Sequence, residues 1–265
     1  MTVGAVRVIA IARNTFVEAA RNRAFWGLGV AAAGLVVSSI VASGLAVSDQ
    51  ASRVLVDFGL FAIGVLEVVI ATVLGVILIY KEVERKTFFL VLTKPVHRHE
   101  VVLGKFVGLL GVLGVALLIM AAAWFVSLWT RGVSLSADMG RALVLSFMEA
   151  ALVTSVALFF SAFATPVMSG VFTVGVFLVG RNIALLEELL AARKGPLVRS
   201  PLARAVAEAA VFIFPDLTRF GVEREVILGI PVTWEYVGAC ALYCAGYCLF
   251  FLALAALIFR RKEFL

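Results

Sequence analysis

The sequence predicts an all-α integral membrane protein. Six transmembrane helices are expected, with an N-terminal helix lying in the membrane interface, a short cytoplasmic helix between spans two and three, and an extracellular helical segment between spans five and six. Composition, long charge-free runs and the placement of Lys and Arg carry this reading. Of 265 residues, 63% are hydrophobic and only 15% charged, with a mean hydropathy of +1.10. Soluble domains average about 45–50% apolar and about 25% charged residues. A soluble domain, a disordered tail and a disulfide scaffold are therefore excluded, and lipid must be the solvent for much of the chain. The net charge of +6 suggests no nucleic-acid partner, because the basic residues cluster at the ends of apolar runs.

Residues 1–23 read as an amphipathic helix. Ile9, Ala12, Phe16 and Ala20 share one face; Arg7, Asn14, Glu18 and Arg21 share the other. Such a stripe suits a helix in the headgroup layer, with Arg13 snorkelling from the apolar side. The leader is too long for a secretory n-region, so the first span, 24–48, is expected to be a retained anchor. The next spans are 58–80 and 103–130. The run from Ala142 to Gly180 holds 39 residues, about 58 Å as one helix, too long for one crossing. Pro166 divides it, giving spans 142–164 and 166–190, the latter continuing through Arg181. The last span is 235–259. All of this forms one transmembrane domain, with a cytoplasmic connection at 81–100 and an extracellular segment at 191–234.

Arg7, Arg13, Arg21 and Arg23 precede the first span. Lys81, Arg85, Lys86, Lys94, Arg98 and Lys105 surround the 81–100 connection, and Arg260, Arg261 and Lys262 follow the last span. The opposite side's short connections carry only Arg53, Arg131 and Arg141. Both termini and the 81–100 connection are thus expected in the cytoplasm. The longer 181–232 stretch mixes both signs of charge and lies outside. Its amphipathic pieces, 183–192 and 203–214, are too short to cross and suit a cap or re-entrant element.

The cytoplasmic connection combines Lys81, Glu82, Glu84, Arg85 and Lys86 with an apolar cluster at Phe88, Phe89, Leu90, Val91 and Leu92, closed by Pro95. Two readings stand: docking into a partner's hydrophobic groove with a charged rim, or packing of the Phe pair on the membrane surface. The string "KEVERKTFFLVLTKPVHRHEVVLGKFVG" resembles the first cytoplasmic loop of type-2 ABC transporter permease subunits, matching at Glu82, Glu84, Lys86, Thr87, Lys94, Pro95, Arg98, Glu100, Gly104 and Lys105. His97 departs, since Ser is usual there. "ARNTFVEAARNRAFW" resembles that family's elbow helix. "FPDLTRFGVEREVILGIPV" is similar to the late extracellular segment of a subgroup linked to maturation of copper enzymes such as nitrous oxide reductase, with Asp216 where Asn is common.

The resemblance implies a transporter of two permease copies, a homodimer, and two ABC ATPase subunits in a bacterial inner membrane. The 82–93 stretch would be the coupling helix that meets the ATPase, with Glu82, Glu84, Arg85, Lys86, Thr87, Phe88, Phe89, Pro95 and Arg98 as contact residues. ATP and Mg would be bound by the partner, leaving no cofactor in this chain. Gly104-Lys105 is followed by Phe106 and lacks the upstream Gly of a phosphate-binding loop, so a non-catalytic subunit is expected. The extracellular 181–232 face would suit a periplasmic protein.

Glu67 and Glu149 are the ionisable residues well inside expected spans. Spans two and four run in the same direction, and both carboxyls fall about 12–15 Å below the outer boundary. An ionised carboxylate facing lipid costs several kcal/mol, so both must face protein or water. They either line a translocation path or clamp neighbouring spans through Ser146, Thr72 or Thr154. Cys240, Cys244 and Cys248 recur on one face of the last span and read as small packing residues. Gly104, Gly108 and Gly111 mark a close helix approach. His97 and His99 lack a third ligand and read as solvated side chains. The function expected is a permease subunit exporting a substrate that composition does not define; the alternative is a membrane scaffold or assembly factor without a path.

Overall fold

The structure is a computed structural model that describes residues 3–21, scattered positions between 27 and 41, and residues 51–84, 98–191 and 201–261. The expected first span thus lies almost wholly outside the described residues, as does 85–97. Nine α-helices are described: α1 (Val3–Ala20), α2 (Ala51–Glu84), α3 (Arg98–Thr130), α4 (Ala137–Ser161), α5 (Pro166–Arg181), α6 (Ile183–Ala191), α7 (Pro201–Ile213), α8 (Glu223–Leu228) and α9 (Trp234–Arg261), with a 3-10 turn at Thr218–Phe220. No strand occurs among the described residues.

Four of these helices contain segments long and apolar enough to cross a membrane: Ser52–Ile77, His99–Thr130, Ala137–Ser161 and Trp234–Phe259. The α5–α6 pair qualifies as a fifth, but it bends by 49°. The break expected at Pro166 is present. Thr165 is extended and Pro166 opens α5 as its first residue, where a missing N–H costs nothing. The unbroken continuation through Arg181 is not present. The helix stops at Asn182, whose side-chain amide donates to the Leu178 carbonyl at 2.8 Å.

The hairpin from α3 to α4 is closed by Gly132 at φ +70°, with Val133 N–H donating back to the Leu128 carbonyl at 3.1 Å. This left-handed cap is where glycine avoids the Cβ clash. Ser136 then starts α4, its hydroxyl accepting from Met139 N–H at 3.4 Å.

α4 is the central helix, touching α2, α3, α5 and α9. Its residues are accordingly buried nearly all round, from Met139 through Leu158. α2 lies beside it in parallel. A Cβ at Gly75 would stand 2.8 Å from that of Ala157, and one at Gly64 would stand 3.9 Å from the Ser146 hydroxyl. Each pair is 82 residues apart in sequence, so the register holds along the contact. α9 covers α4 through the cysteine face, with Cys244 Sγ 3.3 Å from the Met148 carbonyl. All three cysteines are buried free thiols.

α1 packs on the first half of α3 and runs in the same direction: Gly104 faces Ile11, Gly108 faces Ala12 and Thr15, and Gly111 faces Phe16. The neighbour of the glycine stripe is therefore α1 of the same chain. Arg7 joins the contact, 3.8 Å from Glu100. The inward face is Ala12, Thr15 and Ala19, while Ile9 is 53% exposed. Small residues meeting a glycine groove allow close backbone approach, and that packing turns the bulkier Ile9 outward.

Candidate functional site

Glu149 projects from α4 and is buried, as expected for a carboxyl inside a span. Its partner is not Ser146, Thr72 or Thr154. Thr72 and Thr154 donate instead to carbonyls of their own helices, Val68 and Ala150. Arg181, the last residue of α5, holds Glu149 with Nη1 donating to Oε1 at 3.0 Å and to Oε2 at 2.9 Å. Arg181 Nη2 donates to Glu223 Oε1 at 2.7 Å. One guanidinium thus ties three elements together: α4, α5 and α8. Its planar fork suits two carboxylates better than a lysine would.

Glu67 on α2 and Glu149 on α4 share the 82-residue register of their helices, so the two carboxyls stand level. Glu67 is fully buried, and neither carboxylate oxygen has a hydrogen-bond partner among the described residues. The two acids are thus in different situations: Glu149 is clamped, whereas Glu67 is not.

The segment over this cluster is an ordered cap. Asp216 accepts from Thr218 N–H at 3.0 Å and from Arg219 Nε at 2.9 Å, and the Thr218 hydroxyl also donates to it. Tyr243 on α9 accepts from Asp216 N–H at 2.7 Å, and Tyr236 donates to the Arg219 carbonyl at 2.6 Å. Leu217 N–H reaches the Gly180 carbonyl at 3.1 Å. A Cβ at Gly180 would sit 2.7 Å from the Pro215 carbonyl oxygen, so the cap rests directly on the end of α5. Farther along, Asp138 on α4 accepts from Val232 N–H at 3.0 Å and from Arg141 at 2.6 Å.

Two cavities border α2, the first between α2, α8 and the end of α5, the second between α2 and α5. One, of about 420 Å³, is bordered by Asp57, Phe61, Arg181, Glu223, Arg224 and Ile227. The other, of about 690 Å³, is apolar, with Thr72, Val76, Pro166, Gly170, Val174 and Leu178 among its walls.

The coupling candidates are placed only in part. α2 continues as helix through Glu82 to Glu84, so these two residues extend a span. They do not begin a separate helix at 82. Arg85, Lys86, Thr87, Phe88, Phe89, Pro95 and His97 lie outside the described residues, and Arg98 opens α3. Among the described residues, no group of His, Cys, Asp and Glu side chains is placed to hold a metal ion.

Arg181 was missed by sequence reasoning as a site residue. The signal was available: it is the first cation after Glu149 at the same end of the bundle, closing an apolar run that begins at Pro166.

Long apolar helices around a buried carboxylate–guanidinium cluster define a multi-pass membrane protein. The profile of the family described as "ABC-2 family transporter protein" matches residues 9–183. The chain belongs to that family and is a permease subunit of an ABC transporter, which implies an ABC ATPase partner. No curated protein matches the chain.

Proposed function

We propose that the chain is one of two identical permease subunits that export a substrate from the cytoplasm across a bacterial inner membrane, driven by ATP hydrolysed in the separate ATPase. Six spans cross the bilayer, both termini are cytoplasmic, and the chain itself catalyses no reaction. The observation that carries this reading is the family match over residues 9–183, which takes in most of α1, all of α2 to α5 and the 85–97 connection. That connection is bracketed by two long helices, α2 ending at Glu84 and α3 starting at Arg98. A short link between two spans passes a push from the ATPase to both of them. Glu82 and Glu84 form the α2 side of the docking surface. Arg85, Lys86, Thr87, Phe88, Phe89, Pro95 and Arg98 supply the rest, with the Phe pair seated in the partner's groove.

Glu149 is engaged by Arg181; of the two path candidates, Glu67 is the one whose buried oxygens have no hydrogen-bond partner among the described residues, which supports a gating role for it. The resemblance of residues 214–232 supports the subgroup that serves maturation of copper enzymes, with a periplasmic protein meeting the cap.

Co-purification tests the reading. The wild-type chain should bring down an ABC ATPase, and Phe88→Asp or Arg85→Glu should abolish that association while the chain still inserts. A complex that survives both changes removes the docking assignment. Labelling of residues 85–94 from the exterior would reverse the topology.

A further inference from the structure

The end of α7 and the middle of α9 enclose an apolar groove of about 490 Å³, with Phe212 and Ile213 on one wall and Leu242, Tyr243, Tyr247 and Phe250 on the other. α7 itself has two apolar sides. Ala207 is buried, whereas Leu202, Val206, Phe212 and Ile213 are exposed, Phe212 to 90%. Leu202, Val206 and Ile213 fall within about 40° of one another around the helix. Arg204 and Glu208 occupy another edge and pair with each other at 2.9 Å.

α9 sets the depth of the groove. Its segment Trp234–Phe259 is long and apolar enough to cross a membrane. Trp234 and Tyr236 are exposed at its start, as residues of an interfacial aromatic belt are. Leu242 lies about 12 Å farther along the helix axis and Phe250 about 24 Å. Half of the hydrocarbon core is about 15 Å thick, so the groove opens at acyl-chain depth. The backbone that follows α7 suits that depth. Pro215, Leu217 and Phe220 are buried. Asp216 N–H donates to the Tyr243 hydroxyl at 2.7 Å and Leu217 N–H to the Gly180 carbonyl at 3.1 Å. Irregular backbone persists in hydrocarbon only where protein satisfies it. Leu242, Leu249, Phe250 and Leu257 are exposed along α9, so the outward side of α7 continues the surface that a span shows to lipid.

We propose that α7 is sunk in the leaflet at the Trp234 end of α9, and that the α7–α9 groove holds one acyl chain of a lipid of that leaflet. The rings of Phe212, Tyr247 and Phe250 flank the chain. Gly246 leaves room for it, since a Cβ there would meet no atom within 4 Å. Arg219, stacked 4.9 Å over the Tyr243 ring, is already paired with Asp216, so the site recognises the chain and is indifferent to the headgroup. A water-soluble partner does not reach a face at this depth. The proposal needs only that α9 crosses the bilayer and does not rest on the export reading.

The test uses the full-length protein in phosphatidylglycerol nanodiscs whose acyl chains are brominated near mid-length. Phe212→Trp sets an indole at the groove. Its emission, taken as the difference from the wild type with its four native tryptophans, should fall at least twofold with brominated lipid and stay unchanged with aqueous iodide. Native mass spectrometry after detergent delipidation should find one retained lipid on the wild type, whether phosphatidylglycerol or phosphatidylethanolamine is supplied. Gly246→Leu, whose side chain fills the groove, should retain none at unchanged helix content. Quenching by iodide and not by brominated lipid puts α7 in water and overturns the proposal. Quenching by neither, with an altered oligomeric state in Gly246→Leu, assigns the face to a second copy of the chain and overturns it as well. So does a Gly246→Leu protein that keeps its lipid. None of these readouts involves transport or an ATPase, so failure here leaves the permease reading untouched.

Discussion

Replacing Arg181 by Met keeps most of its length and removes the charge that holds Glu149. The carboxylate is then left 4% exposed with no counter-charge. Removing one partner of a buried ion pair costs about 3–5 kcal/mol, because the other charge stays desolvated. The Arg181 side chain is itself 30% exposed, so the lower end, about 3 kcal/mol, applies. At about 2–4 °C per kcal/mol for a chain of this size, the melting temperature should fall by about 6–12 °C. The double change Arg181→Met with Glu149→Gln should recover most of that loss, since a pair replaced by neutral groups is often energetically neutral. Glu223→Gln, at the more exposed side of the bridge, should cost about 1 kcal/mol or less. Tryptophan fluorescence of the purified chain during heating measures all three. If the double variant melts as low as Arg181→Met, or if Glu223→Gln is the most damaging change, the cluster is not organised around a buried Glu149.

Three further outcomes follow from close contacts. Gly108→Val would push a Cβ to 2.6 Å from the Ala12 carbonyl oxygen, so α1 should detach from α3 and become cleavable at Arg7 and Arg13 by trypsin; Gly111→Ala, facing the movable Phe16 ring, should leave α1 protected. Gly59→Ala would place its methyl 2.0 Å from Trp124 Nε1, costing about 1–3 kcal/mol of overpacking and breaking the indole bond to the Leu55 carbonyl; an unchanged melting temperature and emission maximum would contradict the contact. Asp216→Ala removes the acceptor for Thr218 and Arg219, and hydrogen exchange at residues 214–222 should quicken at least tenfold while the exchange of α4 stays unchanged.

How much of this was legible depended on the range of the physics involved. Long apolar runs with at most one charge report exclusion from water locally, so α2, α3, α4 and α9 were readable from composition, and Pro166 marked the α4–α5 break without any tertiary information. The equal depth of Glu67 and Glu149 was also readable, because two spans in the same direction place residues at similar depths by counting. What each carboxyl touches was not. Arg181 and Glu149 are 32 residues apart, and Glu223 lies a further 42 from Arg181; no periodicity links them. Which face of α1 meets protein was not legible either: Ile9, Ala12, Phe16 and Ala20 form its apolar stripe, but in lipid an exposed Ile9 costs nothing, and the fit of Ala12 and Thr15 into the Gly104–Gly108 groove decides the packed face.

The same contacts divide the bundle into parts. α2 is seated on α4 through Gly64 and Gly75 at constant register, and α1 is seated on α3 through Gly104, Gly108 and Gly111. Both are extended, glycine-backed contacts; on the α1–α3 side a Cβ at Gly104 or Gly108 would meet the Val8 or Ala12 carbonyl oxygen at 3.0 or 2.6 Å. Trp124, filling the notch at Gly59 and bonded to the Leu55 carbonyl, joins α3 to the start of α2, far from Glu84 and Arg98. The 85–97 connection joins those other ends. A force applied there under the permease reading meets two pairs, α2 with α4 and α3 with α1, joined at the opposite end through Trp124. Gly59 lies about 37 Å from Glu84 along α2, so a small displacement at the connection becomes a change of angle about the Trp124 notch. Arg181, bridging α4 to α5 and α8, sits on the α2–α4 side of that division, which is why its ion pairs report on this pair's integrity and not on the α3–α1 contact.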